Sequence, residues 1–171
     1  RPERFWELAP ADYRRIFEVN AFAPFLLARA AAGPMMAQKW GRIIGVTTSL
    51  DTMWRKGMIP YGGSKAAHEA LVAAMAEELA GTGVSANVLV PGGAANTRMT
   101  ASFGAKQALL IQPEVMVAPL LWLTTPEADG ITGRRFIAAL WDKSVPGREA
   151  AEKAGAPAAW PQLGRQSILP R

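Results

Sequence analysis

Tyr61 and Lys65 stand four residues apart in "YGGSKAAHEALVAAMAEEL", at the opening of an alanine-rich run with helical patterning. Residues at that spacing on a helix share one face, a single turn from each other. A phenol ordinarily titrates at about pH 10, and a neighbouring ammonium favours its ionised form and lowers that value. A phenol tuned in this way gives or takes a proton near neutrality, the step that carbonyl reduction or alcohol oxidation requires. Gly62 and Gly63 put no side chain beside the tyrosine, so a flat ligand has room to approach. Taken alone, the pair also fits an ordinary aromatic next to a surface lysine.

Its neighbours in sequence add chemistry. "VTTSL" puts two hydroxyls, Thr48 and Ser49, at the end of a strand-like run upstream of Tyr61. Ligands of open α/β sheets bind beyond the carboxyl ends of strands, and either hydroxyl could hydrogen-bond a substrate carbonyl in step with the phenol. Asn20 lies in the otherwise apolar "FEVNAFAPFLL", four residues before Pro24. In a helix the amide of residue 24 would donate to the carbonyl of residue 20, and proline has no N–H to give. The sequence therefore predicts a kink with the Asn20 carbonyl open, where an ordered water can sit. A kink that serves packing alone fits the same residues. His68 could share the face of Tyr61 and Lys65 as a second base, although a surface or interface histidine accounts for it more simply.

The elements that would position these groups follow from periodicity. Residues 10–38 read as a long helix with Asp12 as its cap and Ile16, Val19, Leu26 and Leu27 at helical spacing. "GRIIGVTT" (41–48), "VSANVLV" (84–90) and "RRFIAAL" (134–140) read as strands. The Tyr61 helix separates the first two, and a helix beginning near Pro113 and carrying Trp122 into the core separates the last two. Strands alternating with helices predict an α/β fold, a parallel sheet with crossover helices, although three strands make a thin one. Residues 94–112 read as an excursion in which Met99 and Phe103 could line an apolar pocket. The chain divides into a catalytic portion, 1–144, and a C-terminal extension, 145–171, whose proline, glycine and alanine suggest loose packing.

Composition bounds the rest. With 171 residues, half of them hydrophobic, the chain can bury a core. The absence of cysteine excludes disulfides and thiolate metal sites, and a single histidine excludes a multi-histidine centre, so no metal is expected. The net charge of +5 comes from basic residues placed singly or in pairs among acids, unlike the basic stripe of a nucleic-acid binder. No uninterrupted apolar run of about 18 residues is present, so the expectation is a cytoplasmic protein with no membrane span.

In order along the chain, the Asn of "VNAFAPFLL", the hydroxyls of "GRIIGVTTS", "YGGSK" and "NVLVPGG" together resemble the short-chain dehydrogenase/reductase family. The resemblance runs over residues 5–142, with "ITGRRFIAALWD" similar to the family's closing strand. It implies a Rossmann-like fold, NAD or NADP as cofactor, and hydride transfer between nicotinamide and a carbonyl or secondary alcohol. In that frame Tyr61 is the general acid/base, Lys65 lowers its pKa and binds the nicotinamide ribose, and Asn20 holds the water of a proton relay. Pro91, Gly92 and Ala94 would line the nicotinamide, and Thr97 would contact its carboxamide. The register puts Thr48 at the family's serine position, with Ser49 one residue later, so both remain candidates for the hydroxyl.

The family's glycine-rich turn, where a helix N-terminus receives the pyrophosphate, has no counterpart in this sequence. The expectation is a catalytic C-terminal portion of a longer enzyme, its sheet incomplete at the N-terminus. The alternative is a non-catalytic dimerising fragment or pseudoenzyme that binds no dinucleotide. The resemblance also implies a homo-oligomer joined through the Asn20 and Lys65 helices.

Overall fold

The computed structural model describes residues 4–101 and 110–161, so Phe103 lies outside the described residues. Four strands form one sheet in the order β1 (Gly41–Val46), β2 (Val84–Val90), β3 (Arg134–Ile137), β4 (Gly155–Pro157). The first three run parallel and β4 is antiparallel to β3. The expected α/β architecture is therefore present, with a fourth strand in the segment past residue 145.

The N-terminal helical run comprises α1 (Pro10–Phe17), a π-helical turn (Glu18–Phe22) and α2 (Ala23–Ala37). Pro10 opens α1, where its missing N–H costs nothing. Asp12 therefore falls inside the first turn rather than at the cap, and its carboxylate pairs with Arg15 at 2.8 Å. The π turn sits immediately before Pro24, and the amide of Ala23 bonds to the carbonyl of Glu18, five residues back. Widening the helix by one residue accommodates a proline that cannot complete the ordinary ladder. The run from Pro10 to Ala37 is 28 residues, long and apolar enough by length and composition alone to cross a membrane, which differs from the sequence reading.

A short helix, α3 (Leu50–Trp54), follows β1, and α4 (Tyr61–Glu78) is the crossover to β2. A four-residue helix, α5 (Arg98–Ala101), lies beyond β2; a 3-10 turn at Pro113–Met116 leads into α6 (Val117–Leu123), the crossover to β3. β2 is buried at every residue because it has a strand on each side and helices on both faces. Its alternation splits the core. Ala86, Val88 and Val90 join Val72, Ala76 and Leu79 of the α4 side, while Leu89 meets Trp122, Leu123, Phe136 and Ala151 on the other.

The third strand is shorter than the sequence suggested: Ala138–Leu140 turn into a 3-10 helix, and the amide of Ala139 bonds to the carbonyl of Pro91. Loose packing is also corrected for residues 147–157. α7 (Gly147–Ala154) buries Ala150, Ala151 and Ala154, and β4 pairs with β3 directly after it. Small side chains on one helical face let α7 lie close to the sheet, a role that composition alone concealed.

Candidate active site

β1 and β2 end together. Their register pairs Val46 with Leu89, and the amide of Thr47 still reaches the carbonyl of Leu89, which sets Thr48 level with Pro91. The first turn of α4 lies over this edge, bringing Tyr61 and Lys65 to the same place. The Thr48 hydroxyl lies beside the Tyr61 phenol and acts on it to lower its pKa. Ser49 does not share this role: its hydroxyl pairs with that of Thr52, 2.8 Å away, at the start of α3. Of the two hydroxyls left open by sequence, the one facing the phenol is Thr48.

Burial pushes the Tyr61 phenol above its ordinary value, and the Thr48 hydroxyl pulls the other way with a smaller effect. The sequence reading expected Lys65 to lower it. Instead Lys65 turns its ammonium onto the backbone carbonyl of Val46, 2.9 Å away, and burial lowers its own pKa. Lys65 is thus anchored at the end of β1, one helical turn from the phenol and bonded to the strand.

Gly62 and Gly63 are not a bare platform. Gly62 is buried where the α3 backbone crosses α4, and a Cβ there would come within 2.6 Å of the carbonyl oxygens of Thr52 and Met53. Gly63 faces the ring of Phe17. The two glycines let neighbouring elements approach. A cavity of about 750 Å³ lined by Trp6, Tyr13, Phe17, Trp54, Pro60 and Gly63, among others, lies against this turn without including Tyr61 or Thr48.

Asn20 reaches α4 through a residue that sequence reasoning did not single out. Its side-chain amide donates to the Ser64 hydroxyl at 3.0 Å, and Ser64, fully buried, donates to the carbonyl of Tyr61 at 2.7 Å. The π turn before Pro24 carries Asn20 over the opening of the Tyr61 helix, and the bond joins the two elements. The signal available in sequence was a serine three residues into a helix, where a hydroxyl bonds back to the preceding turn.

Pro91 and Gly92 follow β2 at the same edge. Gly92 has a φ of +100°, and a Cβ there would meet Ala139 at 2.7 Å, so no other residue fits without displacement. Ala94 and Thr97 belong to the next loop: the carbonyl of Ala94 accepts from the amide of Ile111, and Thr97 opens α5 with its amide bonded to the Thr100 hydroxyl. The structure brings Thr48, Tyr61, Lys65 and Pro91 together at one sheet edge. Ala94 and Thr97 stand farther along the chain, in the loop that leaves it.

His68 is buried rather than on the surface. It packs against β1, where a Cβ on Gly45 would lie 3.0 Å from its Nε2, and its Nδ1 has no hydrogen-bond partner among the described residues. Burial, with the Lys65 charge behind it, lowers its pKa to about 4, so it stays neutral at physiological pH. Among the described residues no group of three or more His, Cys, Asp or Glu could hold a metal ion.

The sequence signature of the short chain dehydrogenases matches residues 1–108. The chain belongs to the short-chain dehydrogenase/reductase family. It is 33% identical over 133 residues to a 3-oxoacyl-(acyl-carrier-protein) reductase of Synechocystis sp., a match covering 73% of this chain and 53% of that protein. It is 40% identical over 81 residues to an NADPH-dependent aldehyde reductase-like chloroplastic protein of Arabidopsis thaliana, covering 47% of this chain and 30% of the relative. Among solved structures, a protein of Beutenbergia cavernae described as an NAD(P)-dependent gluconate 5-dehydrogenase superposes with a TM-score of 0.74 at 28% identity, covering 80% of this chain and 59% of the other. The chain spans about half the length of the curated relatives it matches.

Proposed function

We propose that this chain carries the proton-transfer half of an NAD(P)-dependent oxidoreductase site acting on a carbonyl or secondary alcohol. The observation that carries the reading is the placement of the Thr48 hydroxyl beside the Tyr61 phenol at the C-terminal edge of the sheet, with Lys65 one helical turn along. Tyr61 gives its phenolic proton to the substrate oxygen in reduction and takes it back in oxidation. Thr48 orients that oxygen, and Lys65 offers N–H donors to the ribose hydroxyls of the cofactor. Asn20 and Ser64 hold the turn from which Tyr61 projects. The residues present suit the nicotinamide end of a dinucleotide: the side-chain-free backbone at Gly92 lies beside Pro91, level with Thr48. Pro91, Gly92, Ala94 and Thr97 would line that end, and the group supplies or accepts the hydride at its C4 position.

A second reading keeps the fold and drops the chemistry. Its ground is the Lys65 ammonium, which rests on a backbone carbonyl. A non-catalytic, self-associating module accounts for that placement. Titration with NADH and NADPH, followed by nicotinamide fluorescence, separates the two. Saturable enhancement that Lys65→Ala weakens supports the oxidoreductase reading. Absence of any enhancement, with the fold intact by circular dichroism, supports the second.

A further inference from the structure

Arg135 is an unusual residue for an inner strand, 8% exposed on β3. The register places it beside Val88, which lies beside Gly45, so these three share the sheet face that α4 covers. From there its guanidinium makes two different bonds. One nitrogen pairs with Oε2 of Glu69 on α4, and the other donates to the backbone carbonyl of Thr48 at 2.9 Å. Glu69 is fully buried, two turns beyond Tyr61, and the same oxygen accepts from the Thr47 hydroxyl at 2.8 Å. One ion pair therefore holds two successive residues at the end of β1, Thr47 by its side chain and Thr48 by its carbonyl. What remains free on Thr48 is the hydroxyl that meets Tyr61.

Stability alone does not account for this arrangement. A buried ion pair roughly breaks even against apolar residues of similar size. This one also leaves Oε1 of Glu69 without a hydrogen-bond partner among the described residues. An uncompensated buried oxygen is a cost that calls for another explanation. The forked geometry supplies one, because the two nitrogens of a guanidinium reach the carboxylate and the Thr48 carbonyl together in a fixed fork.

We propose that Glu69 and Arg135 are positioning residues, a buried strut that fixes the end of β1 so that the Thr48 hydroxyl faces Tyr61. The inference rests on Thr48 and Tyr61 being the reacting pair. Its test needs neither cofactor nor turnover, so its failure is distinct from failure of the oxidoreductase reading.

The sequence has two tyrosines, so Tyr13→Phe makes Tyr61 the sole tyrosine. Its Cζ, labelled with carbon-13, reports the hydrogen bond at neutral pH by its chemical shift and the phenol's midpoint on alkaline titration. Thr48→Val removes the hydroxyl and should raise the midpoint by about half to one pH unit, the equivalent of a typical hydrogen bond. Arg135→Lys keeps a cation for Glu69 but forfeits the second bond to Thr48. It should move the neutral shift and the midpoint in the same direction as Thr48→Val, with an unchanged far-ultraviolet spectrum. Combining the two should add nothing to Thr48→Val alone. A wild-type resonance and midpoint in Arg135→Lys, or fully additive shifts, would overturn the proposal. Should Arg135→Lys not fold, the apolar double replacement Glu69→Leu/Arg135→Met removes both charges. When folded, it must show the Thr48→Val resonance, and a wild-type one refutes the strut.

Discussion

At the scale of single residues, burial and one hydroxyl act on Tyr61 in opposite directions, and burial prevails. The phenol accordingly keeps its proton throughout the neutral range, the state required of an acid in carbonyl reduction. In the protein without cofactor, Tyr61 should titrate above the ordinary tyrosine midpoint of 10.0. Because the folded state holds this proton more tightly than the unfolded state, stability is constant below that value and falls as pH rises through the folded midpoint. His68 behaves in the reverse sense. Its folded pKa is about 4 against an unfolded 6.5, so the unfolded chain binds more protons between them and stability falls as pH drops through that window. His68→Leu, which cannot charge, should flatten the dependence of the thermal midpoint on pH between 6.5 and 4. An identical profile in the variant would show that His68 does not carry it.

Elements matter through how closely they approach. α4 can start under the backbone of α3 only because residue 62 has no Cβ. Gly62→Ala drives a methyl into two carbonyl oxygens and should cost about 1–3 kcal/mol in urea unfolding, in the range of other overpacked sites. A neutral effect would mean that α3 yields freely. The sequence showed that Tyr61 and Lys65 open a helix and that the threonines close a strand, since both are local matters of periodicity. It could not show that the glycines beside Tyr61 are used for packing, because that depends on where α3 lies. The choice between Thr48 and Ser49 was equally out of reach: it turns on which hydroxyl α3 claims, and Ser49 goes to Thr52. Ser64, Glu69 and Arg135 escaped notice because the partners that tie them to the site, Asn20, Thr47 and Thr48, are 22 to 87 positions away in the chain.

At the scale of the molecule, the N-terminal helices leave apolar side chains exposed on an outer face. Val19, Phe22 and Leu27 are 65%, 54% and 73% exposed on the run that also passes for a membrane span by length and composition. Covering that face with a second copy would remove it from water, in keeping with the homo-oligomer expected through the Asn20 and Lys65 helices. Sedimentation should give a dimer that Phe22→Arg/Leu27→Glu converts to monomer. A monomer in the unmodified protein, or flotation with neutral vesicles, would assign the face otherwise.

These scales meet in one claim, that Tyr61, set by Thr48, moves the proton. Its most direct test is turnover of a carbonyl substrate by the catalytically competent protein carrying Tyr61→Phe, with saturating reduced cofactor. The account predicts a fall in kcat of about 100-fold or more, the contribution of a positioned general acid, with cofactor affinity kept. Wild-type turnover in that variant would contradict it.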